Sequence, residues 1–440
     1  MIENAGFKLK EKTRLFKRRG GETLFAVKHE VLDPDGKKRD TNYEILYWQR
    51  KYLHTLPYDP RTDKVLLLLE STPAPLWHNE GPWVLSTPSC RLRPGTYILE
   101  NGHKSVETYT RCESYWSHAV GFSYPAPATL SIRNTLRIRS ISSSENKDPY
   151  SFSLYGLCRA YSPEEALRLL NAKDAPPMDA SARILLSWFL LHRREFPGSL
   201  TPETNPPSPV DGRPLFKISS AGKILENTQV YKGKHTLYDV RFSLVAGMPT
   251  ERTSSILDPG AKAVFVLPYD PEANKIGWIR EFKPVPTGFH QDPFVLSTVA
   301  GTLKPGESVE QGAIREPAEE MGKEIEKEDL HFLGSTYSEP SVFGAKSYLF
   351  VAKTSFSRFD NGSVYGNAAE NERTKVCVGS PEELFANIKR KGSSVHAVSY
   401  ALFLQFMLNK KDLDREWCSR AKTTQTQGAS IRCLPEAADR

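Results

Sequence analysis

Gly301-Thr302-Leu303-Lys304-Pro305-Gly306-Glu307-Ser308-Val309-Glu310-Gln311-Gly312-Ala313-Ile314-Arg315-Glu316-Pro317-Ala318-Glu319-Glu320-Met321-Gly322 is the stretch on which the reading of this chain turns. Ser308 with Gln311 three positions on forms a capping pair, so a helix begins near Glu307 and runs through Met321 until Gly322 stops it. On that helix Glu316, Glu319 and Glu320 fall at i, i+3 and i+4, which puts three carboxylates on one face about a turn apart. Without a counter-charge they repel. Divalent magnesium or manganese removes the conflict, because hard cations prefer carboxylate oxygens and keep positions open for water and phosphate oxygens. Such an ion neutralises a diphosphate, orients it and lowers the pKa of a bound water. The plain alternative for an E-x-x-E-E pattern is an exposed acidic face with Glu310 and Glu316 as solvated charges. Gly301, Glu307 and Arg315 in register with the pattern favour the metal reading.

The order Gly301, Glu307, Arg315, Glu316, Glu319, Glu320, Gly322 resembles the Nudix box, and the resemblance implies a metal-dependent pyrophosphohydrolase. It implies Glu316, Glu319 and Glu320 as metal ligands, the Gly301 carbonyl completing the coordination shell, and Arg315 orienting the glutamates. Two positions depart from the family pattern: Pro317 and Lys323 stand where aliphatic residues are usual. A proline inside a helix removes a hydrogen bond and costs about 3 kcal/mol, so a kink or a shift of register is expected beside the carboxylates, with weakened activity.

The wider resemblance covers most of the second half of the chain and points to the ADP-ribose and nucleoside-diphosphate-sugar pyrophosphatase branch. It is carried by Leu267-Pro268-Tyr269-Asp270-Pro271 before a strand, by Ile279-Arg280-Glu281-Phe282-Lys283-Pro284, and by Ala300-Gly301 opening the box. The branch implies Arg280 and Lys283 as contacts to the substrate diphosphate, and Glu370 or Glu372, on a late loop, as general base. The bland readings are an exposed strand end and a polar loop. Glu339-Pro340-Ser341 departs from the branch's Ser-Pro-Gly motif, and Ala345 occupies the place of its downstream acid, so the substrate stays open between ADP-ribose and a UDP- or GDP-sugar.

The chain also repeats itself. Leu56-Pro57-Tyr58-Asp59-Pro60 returns 211 positions later as Leu267 to Pro271, and Val84-Leu85-Ser86-Thr87 returns as Val295-Leu296-Ser297-Thr298. Ser162-Pro163-Glu164-Glu165 is echoed by Ser380-Pro381-Glu382-Glu383, each followed by an apolar helix. A period of this length is domain-sized. At the same offset Gly301 falls on Cys90, Glu307 on Thr96, Glu316 on Ser105, Glu319 on Thr108 and Glu320 on Tyr109, so the first copy lacks the acids and is expected to be catalytically silent.

The fold class expected is α/β: two tandem Nudix-like α/β/α sandwiches with mixed sheets, each preceded by extra antiparallel strands. The boundaries are residues 7–196 for a degenerate first domain, 197–213 for a proline-rich linker, 214–414 for the hydrolase domain and 415–440 for a disordered tail. The two copies are expected to pair within the chain as a pseudo-dimer, the silent one buttressing the other through Thr23–Val31 and Trp77–Trp83. No run approaches the ~20 apolar residues of a membrane span. With no apolar leader and no C-x-x-C among six cysteines, a cytoplasmic or organelle-matrix location is expected. The net charge of +7 gathers partly between Lys8 and Arg19, a solvated run by default. Two further readings stay open: an RNA 5′-end pyrophosphohydrolase using that basic run, and a catalytically inactive binding scaffold.

Overall fold

The computed structural model describes the chain except residues 1–6, 18–22, 33–37, 79, 82, 93–103, 105, 108–112, 126–129, 143–151, 154–155, 173–174, 197–222, 244–250, 290, 358, 367–373, 391–392 and 431–440. The expected linker therefore lies outside the described residues.

Strands β1 (Phe7–Lys17), β2 (Thr23–Leu32) and β3 (Lys38–Asp59) form an antiparallel meander. The far end of β3 enters a mixed sheet with β4 (Lys64–Ser71), β5 (Trp83–Ser86), β6 (Ser89–Leu92), β7 (Glu113–Ser123), β8 (Leu130–Ser142), β9 (Phe152–Ser153) and β10 (Gly156–Tyr161). Helix α1 (Pro73–Trp77) follows β4. Helix α2 (Pro163–Asn171), the short strand β11 (Met178–Asp179) and helix α3 (Ala180–His192) close the first half. The second half opens with a separate antiparallel sheet, β12 (Lys223–Lys232), β13 (Thr236–Ser243) and β14 (Glu251–Asp258). The mixed sheet then takes up β15 (Ala263–Asp270), β16 (Lys275–Phe282), β17 (Phe294–Ser297) and β18 (Val299–Thr302). Helix α4 (Val309–Met321) comes next, followed by β19 (Leu330–Tyr337), β20 (Lys346–Lys353), β21 (Val364–Tyr365), β22 (Thr374–Gly379), α5 (Pro381–Lys389) and α6 (Ala397–Ser430).

Register repeats along with sequence. Tyr58 pairs with Val65 and Tyr269 with Ile276; Glu70 pairs with Val84 and Glu281 with Val295; Leu53 pairs with Cys90 and Val264 with Gly301. Each second pair lies 211 positions after the first. The turns repeat too: Asp63 and Asn274 both take the left-handed conformation, at φ 51° and 50°. Ser162 and Ser380 both close capping boxes, with Glu165 and Glu383. The counterpart of α4 in the first half falls mostly outside the described residues.

The two halves share one core. Helices α3 and α6 pack on each other, and Leu185, Phe189, Phe403 and Leu404 lie buried in the core they share; truncating either phenylalanine costs about 3–5 kcal/mol. Arg183 of α3 is buried between the halves, its guanidinium donating to the carbonyls of Leu170 (3.2 Å) and Ser335 (3.1 Å) and to Gln405 Oε1 (2.5 Å). Short parallel pairings also cross: Met178 beside Leu85 and Thr336, and Val395–His396 beside Leu296 and Tyr124.

Helix α6 extends past residue 414, to Ser430; along it Leu413 and Trp417 are buried and Asp414 accepts a 2.6 Å hydrogen bond from Tyr269. Helix α4 runs unbroken through Pro317. Gly312, Ala313, Glu316, Pro317, Glu320 and Met321 form its buried face, so packing against β15 and β18 offsets the hydrogen bond that proline cannot make. No helix among the described residues is long and apolar enough to cross a membrane.

Candidate active site

Helix α4 presents its acids to the edge of β18. Ser308 caps it through a reciprocal box with Gln311, and Gly322, at φ 62°, closes it in a conformation a Cβ would strain. Gly301 is there for a different reason. A Cβ at that position would lie 1.8 Å from Glu316 Oε1, so a glycine lets the carboxylate lie against the backbone of β18.

Arg315 ties the acids together. Its Nε donates to Glu307 (2.7 Å), its Nη1 contacts Glu316 (2.7 Å) and Glu319 (3.0 Å), and its Nη2 donates to Glu307 (3.0 Å) and to the Thr302 carbonyl (3.1 Å). The bond to Arg315 holds the Glu307 carboxyl below the usual carboxylate range, and the bond to Glu307 in turn raises the guanidinium. Glu320 is 2 % exposed and accepts from the Ala300 N–H (3.0 Å), while Glu319 is more open and meets Lys304 Nζ at 3.2 Å.

These donors are all hard oxygens, and the cradle at Gly301 is open to a carboxylate, so the residues suit a hard divalent cation in kind. As placed, the glutamates are engaged by Arg315, Lys304 and a backbone N–H. Among the described residues no three His, Cys, Asp or Glu side chains stand as a group that could hold a metal.

A cavity of about 460 Å³ opens beside Gly301 and Glu316. Phe265, Ser297 and Ala300 line it together with Lys283 and Lys304, and one part of its wall comes from the first half. Arg39 to Glu44 of β3, except Asp40, line that wall. Tyr43 Oη donates to the Phe282 carbonyl (2.9 Å), and Glu44 accepts from Tyr231 Oη (3.1 Å) and the His235 N–H (3.2 Å). Five bases, Arg39, Lys234, Lys283, Lys304 and Arg315, face three acids, Glu44, Glu281 and Glu316, which suits an anionic ligand. His396 lies in the wall as a neutral ring, its pKa pushed down to about 3 by burial.

Of the residues expected from sequence, Gly301, Glu316 and Arg315 line the cavity, and Lys283 lines it while paired with Glu281 at 2.9 Å. Arg280 does not. Strand alternation turns it away from Glu281, and its guanidinium pairs with Asp292 at 2.5 Å. Glu370 and Glu372 lie outside the described residues. Arg39, Tyr43 and Glu44 carry no local sequence signal for the site, since no local pattern shows that a strand more than 200 residues upstream will line it, and His235, in the turn between β12 and β13, is equally unmarked.

The family model for the NUDIX domain matches residues 260–399. An ADP-ribose pyrophosphatase of Escherichia coli strain K12 is 30% identical over 212 residues, 47% of this chain and 98% of the relative. One from Haemophilus influenzae is 25% identical over 202 residues, 44% of this chain and 90% of the relative. A solved structure of an ADP compounds hydrolase shares 24% identity over 45% of this chain and 98% of its own, with a TM-score of 0.34. The chain belongs to the Nudix family. Within it, the chain is a pyrophosphohydrolase, an enzyme that cuts nucleoside-diphosphate-linked compounds.

Proposed function

We propose that the enzyme hydrolyses ADP-ribose, or a nucleoside diphosphate sugar of similar size, to a nucleoside monophosphate and a sugar phosphate, with magnesium or manganese. The observation that carries this reading is the contact between Gly301 and Glu316 at the mouth of a cavity rich in bases. The names of the relatives support the substrate class.

Glu316, Glu319 and Glu320, with the Gly301 carbonyl, would hold the ion. Once bound, it supplies charge neutralisation and a more acidic water. The chain's own residues do the rest. Arg315 keeps the acids aligned. Lys283 and Lys304 face the charge that develops as water adds to one phosphorus and the bridging P–O bond breaks. Glu370 or Glu372 takes the proton of that water. Residues of β3 line the cavity, so the first half is read as a degenerate copy, 7–196, acting with 214–414 as an intramolecular pseudo-dimer. The repeated strand register supports this reading.

The test is a screen of diphosphate compounds with each ion, read as released monophosphate. Turnover of ADP-ribose that Glu319→Gln or Glu320→Gln abolishes is the expected result. Absence of turnover on every diphosphate would leave only a scaffold.

A further inference from the structure

The first half holds a cavity of its own, about 300 Å³ in volume, at the place in its sheet that the larger cavity takes in the second. Phe265, Glu281, Lys283, Ser297 and Ala300 of the larger one lie 211 positions after His54, Glu70, Thr72, Ser86 and Ser89, and all five of these line the smaller one. The roofs are exchanged. Strand β3 of the first half covers the larger cavity, and Arg252, Thr253 and Ser254 of β14 cover the smaller.

The chemistry has been inverted along the way. Lys283 is replaced by Thr72, Phe265 by His54 and Ala300 by Ser89, and Asp179 and Glu339 have joined Glu70. One base, Arg252, now faces three acids, which is the wrong balance for a diphosphate. Burial pushes all three carboxyls up, Asp179 to about 8 and Glu339 to about 7; Asp179 also feels the charges of Glu339 and Glu70, and Glu339 that of Glu70, while the Ser86 hydrogen bond and Arg252 oppose the rise at Glu70. The Thr72 and Thr87 hydroxyls, 8 % and 1 % exposed, line the same space without a hydrogen-bond partner among the described residues. A buried hydroxyl left so costs about 1–3 kcal/mol unless a guest satisfies it.

We propose that this cavity is a ligand site for a small organic cation, an alkyl ammonium or guanidinium compound, held by Glu70, Asp179 and Glu339 and hydrogen-bonded to Thr72 and Thr87. A cation relieves the mutual repulsion of the acids, and its N–H groups find acceptors in the carboxylates and the threonine oxygens. The size also fits, since ligand pockets begin at about 300 Å³, too small for a whole dinucleotide. A metal ion is the weaker occupant, as no group of side chains among the described residues stands ready to hold one. The site is independent of which diphosphate the enzyme cuts.

Calorimetric titration of the full chain with putrescine and with agmatine, and with 1,4-butanediol as the uncharged control, tests it. Saturable binding of at least one amine and none of the diol is expected, weakened about ten-fold or more by Glu339→Gln. Thr87→Val, which removes a hydroxyl and no charge, should weaken binding as well, and gives a second variant should the first unfold. No saturable uptake of either amine, equal uptake of the diol, or affinities unchanged in both variants would overturn the proposal and leave a water-filled remnant.

Discussion

Gly301 and Glu316 are in such close contact that any side chain at 301 would occupy the position of the Glu316 carboxylate. Gly301→Ala should therefore push that carboxylate out of place without touching its charge. Misplacement by about 1 Å costs on the order of 10²-fold in rate. Steady-state kinetics should show a drop of that size in kcat, and a Glu316→Ala variant should lose no less. An alanine variant with wild-type kcat would mean that Glu316 has no part in the reaction.

How much of this was legible beforehand depends on how local the cause was. Ser308, Gln311 and Gly322 define α4 within a few residues, and Val65 to Leu69 is a strand because its apolar run admits little else. The repeat was visible because strand register keeps the 211-residue offset. Arg39 to Glu44 could not be read in the same way, since their role is set by where β3 ends up in space. The extent of α6 has a similar cause: the polar composition after residue 414 carries no helix signal of its own, while Trp417 lies 6.1 Å from the Tyr269 ring. Pro317 reads locally as a defect, yet it sits on the buried face of the helix.

Arg315 contacts Glu307, Glu316 and Glu319 together, so Arg315→Met should leave three carboxylates without their common partner. Breaking such a half-buried network costs about 1–3 kcal/mol. Glu307 also gives this variant a pH signature. Its carboxyl is depressed in the folded state, so it adds stability above its unfolded pKa near 4.5, lost as pH falls through the lower folded value. Urea unfolding followed from pH 6 to about pH 3 should show a smaller acid loss in the variant than in the wild type.

Asp179 predicts the opposite slope. Its folded pKa is about 8 against 3.8 when free, so the folded state keeps a proton that the unfolded chain has lost, and stability falls as pH rises between the two values. Asp179→Asn keeps an acceptor for the Ala182 N–H at the start of α3 and removes the titration. Its melting temperature should equal or exceed the wild type, with a gap that widens from pH 4 to pH 8 and then stays level. A constant gap across that range would show that Asp179 titrates normally.

Trp77 tests whether the first half shapes the cavity of the second. Its indole Nε1 donates to Asp258 (3.1 Å), its ring lies 4.6 Å from Tyr238, and the adjacent His78 ring hydrogen-bonds the Gly344 carbonyl (2.5 Å). Asp258 and Gly344 sit next to Pro259, Phe343 and Ala345, which line the larger cavity. Trp77→Ala leaves every carboxylate of α4 in place but frees that wall. The expected effect is a KM raised about ten-fold with a smaller change in kcat, since ten-fold corresponds to 1.4 kcal/mol of lost binding and none of the reacting groups has moved. Equal losses in kcat and kcat/KM would instead mean that the contact positions the acids themselves, and unchanged kinetics would mean that the wall holds its shape without the first half.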